Sequence, residues 1–159
     1  MGSKRKAVID ALIEMMDTMS LDDIRAEDLI KRSGVSKTTF YRLFHDKYDV
    51  MNSAYLDAST AVVHKDPDMK NMRLWTIEDC NHIAKNPRFY QKILSYHGQN
   101  SFRDTIKAYY YQNIQRHVEM KANGHILTDQ EQYAICVYSE IAAFAMTWWI
   151  ADGCQRSPE

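Results

Sequence analysis

Lys37, Thr38, Tyr41 and Arg42 recur at i, i+1, i+4 and i+5, a spacing that puts all four on one side of a helix. Two cations, a hydroxyl and a phenol side by side suit a polyanion whose edges must also be read. An ammonium or guanidinium pairs with phosphate or with guanine O6/N7, and a threonine methyl meets a thymine methyl. Other reactive side chains do not assemble in this way. The six histidines are His45, His64, His82, His97, His117 and His125, and the three cysteines are Cys80, Cys136 and Cys154. Cys80-x-His82 is the nearest approach to a metal pair, and two ligands do not make a site. No nucleophile elbow, phosphate-cradling glycine run or paired-carboxylate motif occurs. The chain therefore reads as a non-enzyme with no cofactor, and a metal or redox sensor is a remote alternative.

The stretch from Ile24 to Val50 must position that face. Ala26, Leu29 and Ile30 have the i, i+3, i+4 spacing of a buried helical side. Gly34 can take positive φ without a Cβ penalty, Val35 plugs the corner, and Ser36 is a good N-cap for a short second helix over 37–44. On it Phe40, Leu43 and Phe44 face inward. The pattern is a helix-turn-helix. A preceding helix over 4–19, with Ile9, Leu12, Ile13 and Met16 on one side, completes a three-helix head. Lys4, Arg5 and Lys6 at its free end read as solvated cations. The formal net charge is −1, and residues 1–52 carry nine basic and nine acidic side chains, so overall charge gives no sign of a polyanion partner. Distribution does. Between Lys31 and Lys47 five basic residues (Lys31, Arg32, Lys37, Arg42 and Lys47) stand against one acid, Asp46, and a local basic face suffices for phosphate contacts.

The runs Asp28-Leu29-Ile30, Ser33-Gly34-Val35-Ser36-Lys37-Thr38-Thr39-Phe40-Tyr41 and Phe44-His45-Asp46-Lys47 resemble the DNA-binding domain of the TetR family of transcriptional regulators. Arg25 and Leu43 depart from that family's usage. The resemblance implies a homodimer that places one recognition helix in each half-site of double-stranded DNA. It also implies Lys37, Thr38 and Tyr41 as groove contacts, and Ser36, Thr39, Arg42 and Lys47 as phosphate contacts.

Beyond the head, Asp46 can cap a helix reaching about residue 64, and 65–70 forms a polar turn. Helices follow over about 72–85, from Pro87, and over 102–122 with Ser101 as cap. The capping box Thr128-x-x-Glu131 opens a long apolar helix to Asp152-Gly153. No strand alternation is visible. The expected fold class is all-α, with a helix-turn-helix DNA-binding domain over 1–47 and a helical regulatory, ligand-binding and dimerisation domain over 48–159. The last helix is apolar nearly all round and needs burial on more than one face. Ile135, Ile141, Ala145, Trp148 and Trp149 are expected at its two-fold interface. No stretch approaches the roughly 18 apolar residues of a membrane span. No signal core is present, and three widely spaced cysteines suit a reducing cytoplasm.

Tyr96-His97-Gly98-Gln99-Asn100-Ser101-Phe102, Trp148-Trp149-Ile150-Ala151-Asp152-Gly153 and Ser157-Pro158-Glu159 resemble a TetR subgroup that includes regulators of dihydroxyacetone kinase operons. That resemblance implies one further helix opened by Ser-Pro-Glu, which the chain ending at Glu159 does not contain. It also implies either a small effector or a protein coactivator as the signal, the latter making the chain an activator. For an effector, Trp75, Tyr90, Tyr96, Tyr109, Tyr110, Tyr111 and Met120 are the candidate lining, although aromatic stripes at helical spacing also build plain core.

Overall fold

Local signals divide the chain much as the caps and corners dictate. The computed structural model describes residues 3–65 and 72–158. It places there α1 (Ser3–Met15), α2 (Ala26–Ser33), α3 (Lys37–Leu43), α4 (Lys47–Lys65), α5 (Met72–Ile83), α6 (Pro87–Leu94), α7 (Phe102–Ala122) and α8 (Asp129–Ala151), with no strand among the described residues. Lys65 ends α4, and the rest of the expected polar turn, 66–70, lies outside the described residues.

The corner between α2 and α3 is the one the sequence requires. Gly34 sits at φ 69°, and the Ser36 hydroxyl accepts a hydrogen bond from Thr39 N at 3.2 Å. Asp46 Oδ1 accepts from Asp49 N at 2.8 Å to start α4. Pro87 occupies the first turn of α6. Ser101 caps α7 through Asp104 N, and Thr128 and Glu131 close a capping box on α8. α1 stops earlier than its apolar run suggests. After Met15 the backbone tightens, with Asp17 N donating to Glu14 O and Thr18 N to Met15 O, which turns Met16 inward and leads the chain to α2.

The head core is Val8, Ile9, Leu12, Met16, Leu21, Ile24, Leu29, Phe40 and Phe44, each at most 5 % exposed. It is continuous with the core of the larger part through α4, whose Val50, Met51 and Tyr55 have no exposure. α7 and α8 form an antiparallel pair, and α6 packs against both. On α8, Ile135, Ala143, Met146, Trp149 and Ile150 turn inward. The opposite side is a stripe of apolar residues open to solvent. α8 also meets the length and apolarity of a membrane span, with mean hydropathy 1.4 over its best window. This corrects the expectation that no stretch comes near that threshold. Its inner side is packed on α6 and α7, and 39 % of that window is buried.

Gly34 tests the corner directly. A Cβ there would meet nothing within 4 Å, so Gly34→Ala carries only the cost of a left-handed alanine, about 1–2 kcal/mol. Denaturant unfolding should show that loss, and an unchanged midpoint would mean that the corner can relax out of positive φ.

Candidate nucleic-acid interface

α3 is amphipathic because its inward residues are aromatic and its outward ones polar. Phe40 is fully buried against Phe44 at 5.8 Å between ring centroids. Lys37, Thr38, Tyr41 and Arg42 lie on the exposed side, Tyr41 at 49 % exposure with its ring edge-on to Phe40. The structure therefore brings these four sequence candidates onto one open face. Ser36 and Thr39 flank it at the helix start. The Ser36 hydroxyl donates to Thr39 Oγ1 at 3.0 Å, which leaves the Thr39 hydroxyl hydrogen available to point outward. Lys31 and Arg32, at the end of α2, extend the basic surface, Arg32 pairing with Glu14 at 2.8 Å.

Two basic residues have other roles than those expected. Lys47 does not project from the head. Its ammonium donates to Leu21 O at 2.7 Å, Asp22 O at 3.1 Å and Ile24 O at 2.8 Å. All three donors of the ammonium are thus occupied by the loop that leads into α2, and the phosphate role expected for Lys47 has no donor left to serve it. Arg5, expected to be solvated, points inward instead. Its guanidinium donates to both oxygens of Asp57 on α4, at 2.7 and 3.1 Å, to Ser53 Oγ at 2.7 Å, and to Leu43 O at 2.9 Å. It also lies 4.5 Å from the Phe44 ring centroid. Leu43 O is the last carbonyl of α3, so one planar fork ties α1, α4 and the end of the outward-facing helix together.

The head joins the rest at a second place. Lys92 on α6 donates to Met16 O and to Asp17 O, the latter at 3.2 Å, placing a cation on the open carbonyls beyond α1. Beside it Tyr48 and Tyr96 stack at 4.9 Å and 19°, and the hydrogen bond with Tyr96 leads the effects that push the Tyr48 phenol up to about 12. A Cβ on Gly98 would collide with the Tyr96 hydroxyl, so a larger residue there would displace the Tyr96 ring. An open groove of about 560 Å³ lined by Met19, Asp22, Lys92, Tyr96 and His97 runs along this junction.

The candidate pocket residues do not form one set. Trp75, Tyr109 and Tyr110 are buried and packed ring against ring, while Tyr90 is buried separately against Phe89 and Phe102. Tyr96 belongs to the junction groove, while Tyr111 and Met120 are exposed on α7. The candidate dimer residues also separate. Ile135 and Trp149 face the chain's own interior, and Trp149 Nε1 donates to Arg156 O at 2.9 Å. Ile141, Ala145 and Trp148 face out. Tyr133, Val137 and Phe144, absent from the sequence expectation, share that side at 71, 37 and 69 % exposure. Their spacing with Ile141 and Trp148, at i, i+4, i+8, i+11 and i+15, was available in the sequence. Cys80 is buried, and His82 Nε2 lies 3.1 Å from Ala54 O and 2.8 Å from the Tyr90 hydroxyl. Among the described residues no three His, Cys, Asp or Glu side chains come together as a metal set.

A family model described as transcriptional regulator C-terminal region, of the TetR class, matches residues 70–159. Among solved structures the chain is similar to the dihydroxyacetone kinase operon activator DhaS. The TM-score is 0.71 and the identity 16 %, covering 98 % of this chain and 87 % of that one. It is also similar to the fatty acid degradation regulator FadR from Bacillus halodurans, with TM-score 0.63, 17 % identity, and 99 and 90 % coverage. A third likeness, to a TetR-family transcriptional regulator from Syntrophomonas wolfei, has TM-score 0.60, 16 % identity, and 97 and 86 % coverage. At such identities these likenesses establish the fold. None of the curated proteins compared with the chain matches it.

Lys47→Met should lower stability by about 1–3 kcal/mol, because three carbonyls lose a charged donor. The salt dependence of any DNA binding should stay as in wild type. A slope reduced by about one unit would instead return Lys47 to the phosphate contacts. Arg5→Gln should weaken DNA binding about tenfold while the helical circular dichroism signal remains, because the end of α3 is no longer tethered. Full affinity in that variant would show that the aromatic packing alone aims the helix.

Proposed function

From the premise that this chain belongs to the TetR family of transcriptional regulators, we propose that it is a sequence-specific DNA-binding regulator acting as a homodimer on a palindromic operator. The observation that carries this reading is the open face of α3, where Lys37, Thr38, Tyr41 and Arg42 stand together on a helix held at both ends. In this reading Lys37, Thr38 and Tyr41 contact base edges or the groove floor. Ser36, Thr39 and Arg42 hold phosphates and set register without reading sequence. Residues 1–47 form the DNA-binding unit and 48–159 the regulatory unit. Regulators of this class are soluble DNA-binding proteins, and a cytoplasmic setting follows for this chain.

The two heads must meet successive major grooves on one side of the duplex, about 34–36 Å apart. A symmetric pairing through α8 is the favoured way to fix that distance. Tyr133, Val137, Ile141, Phe144 and Trp148 make a continuous apolar stripe, with Ala145 beside it. Among the described residues Arg156 lies over the Trp148 ring at 4.5 Å and the stripe otherwise stays exposed; a two-fold copy of the same stripe is complementary to it. In the 48–159 part we read a sensor for a small effector. A protein coactivator in its place is the second form of the same regulator.

Selection of bound duplexes from a random pool tests the central reading. An enriched palindrome supports a sequence-reading dimer, and failure to enrich any sequence counts against it. Tyr41→Ala should weaken operator binding roughly 10- to 100-fold, the range of one good base contact, with the helical signal intact. Equal affinity would remove Tyr41 from the interface. Phe144→Glu should give a monomer in sedimentation, because two carboxylates would be buried across the two-fold axis. A persisting dimer would move the interface elsewhere.

A further inference from the structure

The polar group least explained by the fold is Asp79. It lies in the middle of α5 with no solvent exposure. The Tyr55 hydroxyl donates to its Oδ2 at 3.0 Å, while its Oδ1 has no hydrogen-bond partner. Ser59, one turn along α4 from Tyr55, is equally buried, and its hydroxyl lies close enough to favour the ionised carboxylate, as the Tyr55 hydroxyl does, without reaching Oδ1 in hydrogen-bond geometry. No described cation faces the carboxylate. Burial is the largest effect on it, lifting the Asp79 carboxyl from 3.8 to about 6 against the opposing influence of the Ser59 and Tyr55 hydroxyls, with the Glu78 charge adding to the rise. A core could use Asn or Leu here at lower cost.

The surroundings specify what would relieve this carboxylate. Trp75 stands one turn before it on α5, and Tyr109 packs on both Tyr55 and Trp75 at 5.2 and 5.6 Å between centroids. Tyr110 closes the other side of Trp75 at 5.7 Å. The phenols of Tyr109 and Tyr110 are pushed up by burial and then by the Asp79 charge. Aromatic faces attract cations and repel anions. A neutral hydroxyl could satisfy Oδ1 but would leave the charge uncompensated. An ammonium group supplies both a donor and the counter-charge. Tyr109 also lines a groove of about 430 Å³ between α4 and α7, whose other walls include Thr60, Val63, Asn113 and Arg116, and this groove offers space for the remainder of such a molecule once Tyr109 turns.

We propose that the interior between α4, α5 and α7 is an amine site, in which Asp79 receives the ammonium of a small organic amine walled by Tyr55, Trp75, Tyr109 and Tyr110. The proposal rests on the effector-sensing reading and names its ligand class. Binding requires Tyr109 to turn from Trp75, whose indole N–H now donates to the Tyr109 hydroxyl at 3.1 Å. That exchange links occupancy to the packing of α7 against α4 and α5. α4 in turn carries Asp57, the partner of Arg5, so the site and the end of α3 are joined through one helix.

Thermal unfolding of the full chain with phenethylamine, 1,4-diaminobutane, 2-phenylethanol and phenylacetate decides the matter. Either amine at saturation should raise Tm by about 3 °C or more, and the isosteric alcohol and acid should not. Asp79→Asn should itself raise Tm of the free chain near about pH 7.5. The folded state holds the proton more tightly than the unfolded one, so the stabilisation it brings is present below 3.8 and lost as pH passes about 6. The same variant should abolish the amine shift. Ser59→Ala, which keeps the charge, should reduce the shift without removing it. An amine shift that survives in Asp79→Asn, an equal shift by the alcohol, no shift by either amine, or a lower Tm in Asp79→Asn would each overturn the proposal. A shift by the acid or the alcohol alone would do so while leaving effector sensing intact. Operator binding measured on the same samples reports separately on the DNA-binding reading.

Discussion

A seven-residue helix has too few internal hydrogen bonds to persist alone in water, so the direction in which α3 presents its polar face is set by what holds its ends. Gly34 and Ser36 fix the start. Phe40 and Phe44 fix the underside. The Arg5 guanidinium fixes the far end by bonding Leu43 O while its other donors grip Asp57 and Ser53 of α4. A lysine could not replace it, since an ammonium is a point donor and the three partners lie around a plane. The position of the outward face is therefore a property of α1, α3 and α4 together.

α8 imposes the second constraint. Its inner side completes the core with α6 and α7, but the stripe from Tyr133 to Trp148 is too continuous and too aromatic to be incidental surface. α6 is short and touches both the head and the end of α8. Gln91 donates to Ala151 O at the end of α8, and Lys92, next in sequence, reaches back to the carbonyls after α1. Adjacent residues of one helix thus touch the end of the apolar helix and the end of the first helix of the head.

What the amino-acid sequence revealed was local. Helix starts and corners depend on residues three or four apart, so Ser36, Ser101, the Thr128 capping box and the Gly34 corner could all be read, as could the open face of α3. The roles of Arg5 and Lys47 could not. Their partners lie 38 to 52 and 23 to 26 residues away, and a terminal or post-helix cation has no local mark that separates a solvated charge from a structural one. The aromatic residues failed for a related reason. Periodicity shows that Trp75, Tyr109 and Tyr110 face inward, but only the packing shows that they cluster with Tyr55, the donor to Asp79. On α8 nearly every position is apolar, so composition could not choose between Trp149, which is inside, and Phe144, which is outside.

The lysine from α6 on the carbonyls beyond α1 also bears on how the molecule comes apart. The head has no cap of its own at that point, and its core runs without interruption into α4 through Val50 and Met51. Helices α1 to α3 bury too little surface to persist alone, and part of what closes them comes from residue 92. The cooperative unit of unfolding is then larger than the DNA-binding unit. Amide protons in α1 should exchange with the free energy of the bundle.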